Sequence, residues 1–258
     1  MCTNYLKAII LAAGMGTRLG MLTNDKPKCM LKLFGETLIE RQIKIFRSYN
    51  INDITVVTGH KSELIDIPDI NYIKNKNYET TNMNESLFCA LKPSSDPILV
   101  TYSDIVFERK IIQQMLEIPN GIELAVSLDW KKRYQNRKMH PLAEAENVLV
   151  ENGRILQIRK NISKSLENQK LGEFLGIMML SSEHVKIMLE RYSYLKKNHT
   201  GAFYDSSSLS NAYMTDMLQD VINCGINVNP IFTKGKWCEV DTPEDLKNAE
   251  KIINKFQS

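Results

Sequence analysis

The chain has 258 residues, with 33 basic and 30 acidic side chains and a formal net charge of +3. Its 43% hydrophobic and 24% charged content is that of an ordinary globular protein, which excludes the disordered, collagen-like and disulfide-dense classes. The near-balance of charge gives no footprint for nucleic acid, though it leaves room for a local pocket that holds phosphate.

The first half alternates strands and helices. Residues 5–12 (YLKAIILA) form a continuous apolar run, as expected of a strand buried on both faces. Residues 38–49 carry Leu38, Ile39, Ile43 and Phe46 at close to helical spacing. A second buried strand is expected at 53–58 (DITVVT) and a short third at 70–74. A helix over 84–91, a strand over 97–102 (PILVTY), a helix over 108–117 and a strand over 123–128 follow. In the second half, 148–151 and 155–159 flank Asn152-Gly153, a hairpin turn signal. A strand at 174–180, helices at 182–196 and 213–223 and a strand at 227–232 come next. Thr242-Pro243-Glu244 opens a last helix over 242–256 with a cap, a first-position proline and an early acid. Residues 131–140 (KKRYQNRKMH) are polar and basic and read as an arm over the sheet edge.

This rhythm predicts a single α/β domain: a Rossmann-like, mixed but mostly parallel sheet flanked by helices, with a small β and arm insertion in the second half. Residues 1 to about 125 would form one half of that domain and about 126–258 the other. In such sheets ligands bind beyond the carboxyl ends of the strands. That directs attention to the loops after Ala12, Gly59, Lys74 and Tyr102. The five cysteines are odd in number and show no C-x-x-C spacing. A reducing cytoplasm is therefore expected, with no disulfide framework. No apolar stretch nears the ~20 residues that span a bilayer, so no membrane partner is expected.

The strongest feature is Leu11-Ala12-Ala13-Gly14-Met15-Gly16-Thr17-Arg18-Leu19, followed by Lys26-Pro27-Lys28. A buried strand ending in small residues and glycines lets backbone N–H groups approach an anion closely. Arg18 and Lys28 add two cations suited to a polyphosphate. The Walker pattern is absent, because no Lys-Ser or Lys-Thr follows a glycine here. The dinucleotide pattern fails because Leu19 stands where its third glycine belongs.

The glycine stretch with its K-P-K resembles the signature of the nucleotidyltransferases that make sugar nucleotides and related activated headgroups. The resemblance extends over nearly the whole chain. It implies that Asp104, in Tyr102-Ser103-Asp104, and Asp241, in Trp237-Cys238-Glu239-Val240-Asp241, hold Mg²⁺. It implies that Lys28 meets the α-phosphate and Arg18 the leaving pyrophosphate, so that Arg18, Lys28, Asp104 and Asp241 form the catalytic set. Lys160, Glu173 and Gly176 match the family's acceptor contacts. Thr80-Thr81-Asn82-Met83-Asn84 and the stretch from Trp130 to Glu146 resemble the cytidylyltransferase branch acting on phosphocholine, aminoalkylphosphonates or phosphoglutamine. Residues 11–18, Lys28, Asn82 and Ser86 would then bind CTP, although Asn82, Asn84 and Ser86 equally suit a helix cap.

On the acceptor side, Trp130, Tyr134, Tyr204, Tyr213 and Trp237 could form an aromatic wall for a quaternary ammonium. Glu144 and Glu146 could instead meet an amine. His140 is a weaker candidate near the same pocket. The expected reaction is CMP transfer from CTP to a phosphorylated or phosphonylated small molecule. A sugar-1-phosphate nucleotidyltransferase using UTP, dTTP or GTP is the alternative. A nucleotide-binding sensor without catalysis is the reading from another class. The sequence leaves the oligomeric state open.

Overall fold

The computed structural model describes residues 6–117, 120–135, 137–163 and 166–254. Tyr5 of the first expected strand, Phe256 of the last helix, Asn136 of the arm and Cys2 lie outside the described residues. The first strand, β1 (Lys7–Ala12), is buried along nearly its whole length. A small hairpin of β2 (Lys32–Leu33) and β3 (Glu36–Thr37) leads into α1 (Leu38–Arg47). That helix starts where it does because Thr37 and Glu40 form a reciprocal capping box: Thr37 Oγ1 accepts from the Glu40 N–H at 3.2 Å, and the Thr37 N–H donates to Glu40 Oε2 at 2.8 Å. Its apolar stripe of Leu38, Ile39, Ile43 and Phe46 is buried.

The chain continues through β4 (Asp53–Thr58), β5 (Asn71–Lys74), α2 (Met83–Ala90), β6 (Ile98–Tyr102), β7 (Ile105–Phe107), α3 (Arg109–Leu116) and β8 (Ile122–Ser127). The second half contains the hairpin β9 (Glu146–Glu151) and β10 (Arg154–Lys160), then β11 (Lys170–Leu180) and α4 (Ser182–Asn198). The chain closes with α5 (Met214–Asn223), β12 (Val228–Phe232), β13 (Trp237–Glu239) and α6 (Pro243–Asn254).

The main sheet is mixed and mostly parallel. β5, β4, β1 and β6 pair in parallel, as do β8 and β12. β11 runs antiparallel to β6, β8 and β9, so nearly all the other strands share one direction. The first half of β11 pairs with β9 and its second half with β6, while β8 runs along its other edge. β11 begins at Lys170, earlier than the apolar run at 174, because Lys170, Gly172 and Glu173 interrupt the apolar pattern around Leu171. No helix among the described residues is long and apolar enough to cross a membrane. Cys29, Cys89, Cys224 and Cys238 are free thiols.

Candidate active site

Three segments far apart in sequence meet at the carboxyl end of the parallel strands, and their apolar neighbours explain why. β13 pairs antiparallel with β7, with Glu239 opposite Ile105. The ladder extends one step further, where the Val240 N–H donates to the Asp104 carbonyl at 2.9 Å. That register sets Asp104 beside Asp241. Leu19, Val106 and Val240 are buried in one cluster with Leu31, Leu33, Leu38, Ala249 and Ile253. Each apolar side chain of that size contributes about 1.5–3 kcal/mol on burial. The cluster therefore ties the Arg18 loop, β7 and the Asp241 segment together. The Asp241 end is further fixed by α6, where Thr242 Oγ1 accepts from the Asp245 N–H at 3.3 Å and Asp245 Oδ2 accepts from Thr242 in return.

Two cavities adjoin here. A larger one, of about 370 Å³, is lined on one side by Met15, Gly16, Thr17 and Arg18 and on the other by acidic and aromatic side chains. A smaller one, of about 100 Å³, is lined by Leu11, Ala12, Ala13, Gly14, Thr81 and Ser86 among others. Lys28, Asn82, Met83, Tyr102 and Asp104 line both. The glycine loop thus runs along the boundary between them. Gly16 turns it with φ +65°, and a Cβ there would come within 3.1 Å of Lys28 Cβ.

At the junction Lys28 Nζ donates to Asp104 Oδ2 at 2.7 Å and also bonds Asp241 Oδ1. The Arg18 guanidinium takes the other Asp241 oxygen at 2.8 Å. Burial disfavours the Lys28 ammonium, yet the charges of Asp104 and Asp241 outweigh it and hold the pKa above the ordinary lysine value. Burial likewise acts against the Asp241 carboxylate, and Lys28 and Arg18 outweigh it to keep that pKa low. Two hard carboxylates on one small cation form a donor set suited to a divalent ion. Asp104 Oδ1 is buried with no partner, which leaves an oxygen available to such an ion. His140, Glu239 and Asp241 also cluster, with one ligand atom of each within 4.8 Å of the others. His140 Nδ1 lies 2.8 Å from Arg137 Nη2. A guanidinium can only donate, so that ring nitrogen's lone pair is used and His140 has none left for a metal.

The acceptor-side residues are mostly together. Glu144, Glu146, Lys160, Glu173, Gly176 and Trp237 line the larger cavity, with His140 and Tyr213. Lys160 Nζ bonds Glu144 Oε2 at 2.7 Å. Gly176 has φ +66°, and a Cβ there would sit 2.4 Å from the Tyr102 ring and 2.6 Å from Ile105. Only glycine lets β11 pass so close behind the Asp104 turn. The register shift between Phe174 and Met178 is the bend that results.

Trp130 is the exception. It lines neither cavity but lies buried against Tyr134 and Ala145, with its indole N–H donating to the Leu171 carbonyl at 3.3 Å. Its bulk and polar tip are used in packing behind the wall, where Tyr134 in turn donates to Glu173 Oε1. Tyr204 also lies elsewhere, beside Asp220 and Asn223. The basic arm is not simply solvated. Arg137 is buried against Asp245 at 2.8 Å, and the Lys138 and Met139 N–H groups donate to Glu244. Asn82 lines the cavities and caps α2 as well, accepting from the Met83 N–H at 2.8 Å. Ser86 accepts from Asn75 at 3.0 Å.

Two residues that the sequence reading passed over belong here. Glu239 faces the cavity, and burial followed by the charges of Asp241 and Asp104 holds its carboxyl well above the usual range. The period-two alternation Trp237, Glu239, Asp241 was the available signal. Gln42, on α1, is buried behind the Asp104 turn. Its Nε2 donates to the carbonyls of Tyr102 at 2.8 Å and Ile105 at 2.9 Å, and its Oε1 accepts from Thr101 at 2.8 Å. It clamps both sides of the two residues that carry the carboxylate. A polar residue in an apolar stripe, facing the core, was its only trace in the sequence.

The model of the MobA-like NTP transferase domain matches residues 8–174. The chain is 30% identical over 257 residues to the CTP:phosphoglutamine cytidylyltransferase of Campylobacter jejuni, covering 94% of this chain and 98% of that one. Among solved structures, the inositol-1-phosphate CTP transferase of T. maritima superposes with a TM-score of 0.72 at 21% identity, over 98% of this chain and 96% of that one. The CTP:phosphocholine cytidylyltransferase of Streptococcus pneumoniae gives 0.71 at 22%, over 96% and 99%. These two likenesses concern the fold. The chain belongs to the MobA-like NTP transferase family.

Proposed function

We propose that this protein transfers CMP from CTP to a phosphorylated or phosphonylated small molecule and releases pyrophosphate. The observation that carries the reading is the single ammonium of Lys28 shared by Asp104 and Asp241, at the junction of the two cavities. The likeness to the Campylobacter cytidylyltransferase over almost its full length supports the choice of CTP and of a non-sugar acceptor.

An acceptor phosphate or phosphonate oxygen forms a bond to the α-phosphorus as the bond from that phosphorus to the β-phosphate bridging oxygen breaks. Pyrophosphate carries away the electron pair. An acceptor already anionic near neutral pH needs no general base, so positioning and charge neutralisation supply the catalysis. Lys28 offsets the charge that builds on the α-phosphate oxygens, and Arg18 holds the leaving pyrophosphate. Leu11 to Thr17 cradle the triphosphate, and Asn82 and Ser86 take the cytidine on the side of the smaller cavity. Lys160, Glu173 and Trp237 take the acceptor, with Glu144 acting through its bond to Lys160. Asp104 and Asp241 would hold a magnesium ion, which supplies charge neutralisation at the α-phosphate when bound. The nucleotide half, to about residue 125, and the acceptor half beyond it serve one domain. CTP consumption sets the work in the cytoplasm.

The test is pyrophosphate release with Mg²⁺, crossing CTP, UTP, dTTP, GTP and ATP with phosphocholine, 2-aminoethylphosphonate, phosphoglutamine and glucose 1-phosphate. Turnover is expected only with CTP and a non-sugar acceptor, and should fall at least 10³-fold in Asp104→Ala. Turnover of glucose 1-phosphate with another nucleotide would overturn the reading. CTP binding in a calorimeter without any turnover would point to a sensor.

A further inference from the structure

The acceptor end of the larger cavity holds more carboxyl groups than its own cations pair directly. Glu144 is paired with Lys160. Among the described residues, Glu146 receives only the Tyr102 hydroxyl, at 3.4 Å. Glu173 lines the same cavity, and its charge acts on Glu146. Glu173 is 4% exposed; its Oε1 accepts from Tyr134, and its Oε2 is buried with no partner. A second, separate group is also unmatched: Trp237, 4% exposed, lines the same cavity, and its buried indole N–H has no acceptor among the described residues. Burial pushes the Glu146 carboxyl up to about 8 and that of Glu173 to about 7, against partial relief from the charge of Lys160 on the first and from the Tyr134 hydrogen bond and the charges of Arg137 and Arg133 on the second. Buried groups left in this condition are completed by a ligand. The ligand must bring a cation that donates hydrogen bonds and an oxygen that accepts one.

The aromatic side chains decide which kind of cation. A trimethylammonium group has no N–H and is held by open π faces. Four Tyr, Trp and Phe rings line this cavity: Tyr213 and Trp237 already carry one of the chain's own cations, and Tyr102 and Phe174 pack edge to face on each other. Lys160 Nζ is 4.9 Å from the Tyr213 ring centre, and the guanidinium of Arg133 is 5.8 Å from that of Trp237. Behind the wall, Arg137 and Lys131 cover Tyr134 and Trp130 in the same way. We propose that the acceptor carries a primary ammonium group, received by Glu173 and Glu146, and that its trimethylated counterpart is a poor substrate. The Trp237 N–H holds an oxygen of the same acceptor. This specificity rests on the CMP-transfer reading above and replaces the aromatic wall expected from sequence with a carboxylate seat.

The experiment compares matched acceptors with CTP and Mg²⁺. The pairs are phosphoethanolamine with phosphocholine, 2-aminoethylphosphonate with its N-trimethyl form, and phosphoglutamine with its N-acetyl form. Ethyl phosphate serves as the control without a cation. For the best acceptor, kcat/KM is expected to be at least 10-fold higher with the free primary amine than with its modified counterpart or ethyl phosphate. In Glu173→Gln that ratio should shrink toward one, with the loss seen chiefly in KM. Equal or better use of the trimethyl or acetyl form, or of ethyl phosphate, would overturn the inference while leaving CMP transfer intact. If no acceptor releases pyrophosphate from CTP, the transfer reading fails by itself. Calorimetric titration of the same pairs then decides the ammonium seat: tighter binding of the amine keeps it, and equal or no binding overturns it.

Discussion

The two sides of the larger cavity are built in opposite ways. On the nucleotide side one short loop supplies contiguous residues, Met15 to Arg18 here and Leu11 to Gly14 in the adjoining smaller cavity. On the acceptor side the wall comes from the arm, β9, β10, β11, β13 and the start of α5, and its functional groups are side chains. A triphosphate is nearly the same object in every nucleotidyl transfer, so a contiguous loop suffices to hold it. The acceptor differs from one enzyme to the next, and its seat is assembled from side chains that can change singly without disturbing the loop.

Three substitutions test that contrast. The largest effect is expected from Lys28→Met, which removes the cation at the junction: kcat should fall roughly 10²–10³-fold for every acceptor alike, read in single-turnover assays. A loss confined to one acceptor would break the division between the two sides. A smaller effect is expected from Gln42→Met, which leaves the Tyr102 and Ile105 carbonyls without their donor, at a stability cost of roughly 1–3 kcal/mol. Because Gln42 acts only by holding the Asp104 turn, its loss should raise the magnesium concentration for half-maximal rate about 10-fold. Saturating metal should then restore most of kcat; an unchanged magnesium curve would show that the turn holds itself.

The third effect, on stability rather than rate, concerns the acceptor side. In the fold, burial lifts the Glu146 carboxyl from the ordinary 4.5 to about 8, so the folded protein keeps a proton that the unfolded chain has released. The ligand-free protein therefore loses stability as pH rises from about 4.5 to about 8, and Glu146→Gln should flatten that slope. The Tm difference between the ends of the range should shrink by on the order of ten degrees, measured by calorimetry. An unaltered slope would mean that this carboxyl is already compensated.

The same contrast governs what could be read from the sequence. β1, β4, β6 and β8 were legible as apolar runs, and the glycine loop with Arg18 and Lys28 as one local pattern. β7 was not, because three apolar residues directly after Asp104 look like the tail of a loop until β13 pairs with them. Glu239 was hidden for the same reason, since its facing depends on that pairing. Trp130 was misjudged because an aromatic residue beside a basic arm can face a ligand or the core. The choice was made by Leu171, whose carbonyl takes the indole N–H. Gln42 could be placed on a helix but not given a task, because its partners lie some sixty residues away in the chain.

The strand β11 is common property of both halves: β6 of the nucleotide half and β9 of the acceptor half share one of its edges, while β8 runs along the other. The functional division near residue 125 falls inside β8 itself, which spans Ile122–Ser127. A chain severed there would break a buried ladder and expose raw sheet edges on both fragments. Under the proposed reaction the two substrates would therefore meet on one undivided floor rather than between two plates closing on a pivot. Whatever adjusts between binding and release must be carried by loops and side chains standing above that floor.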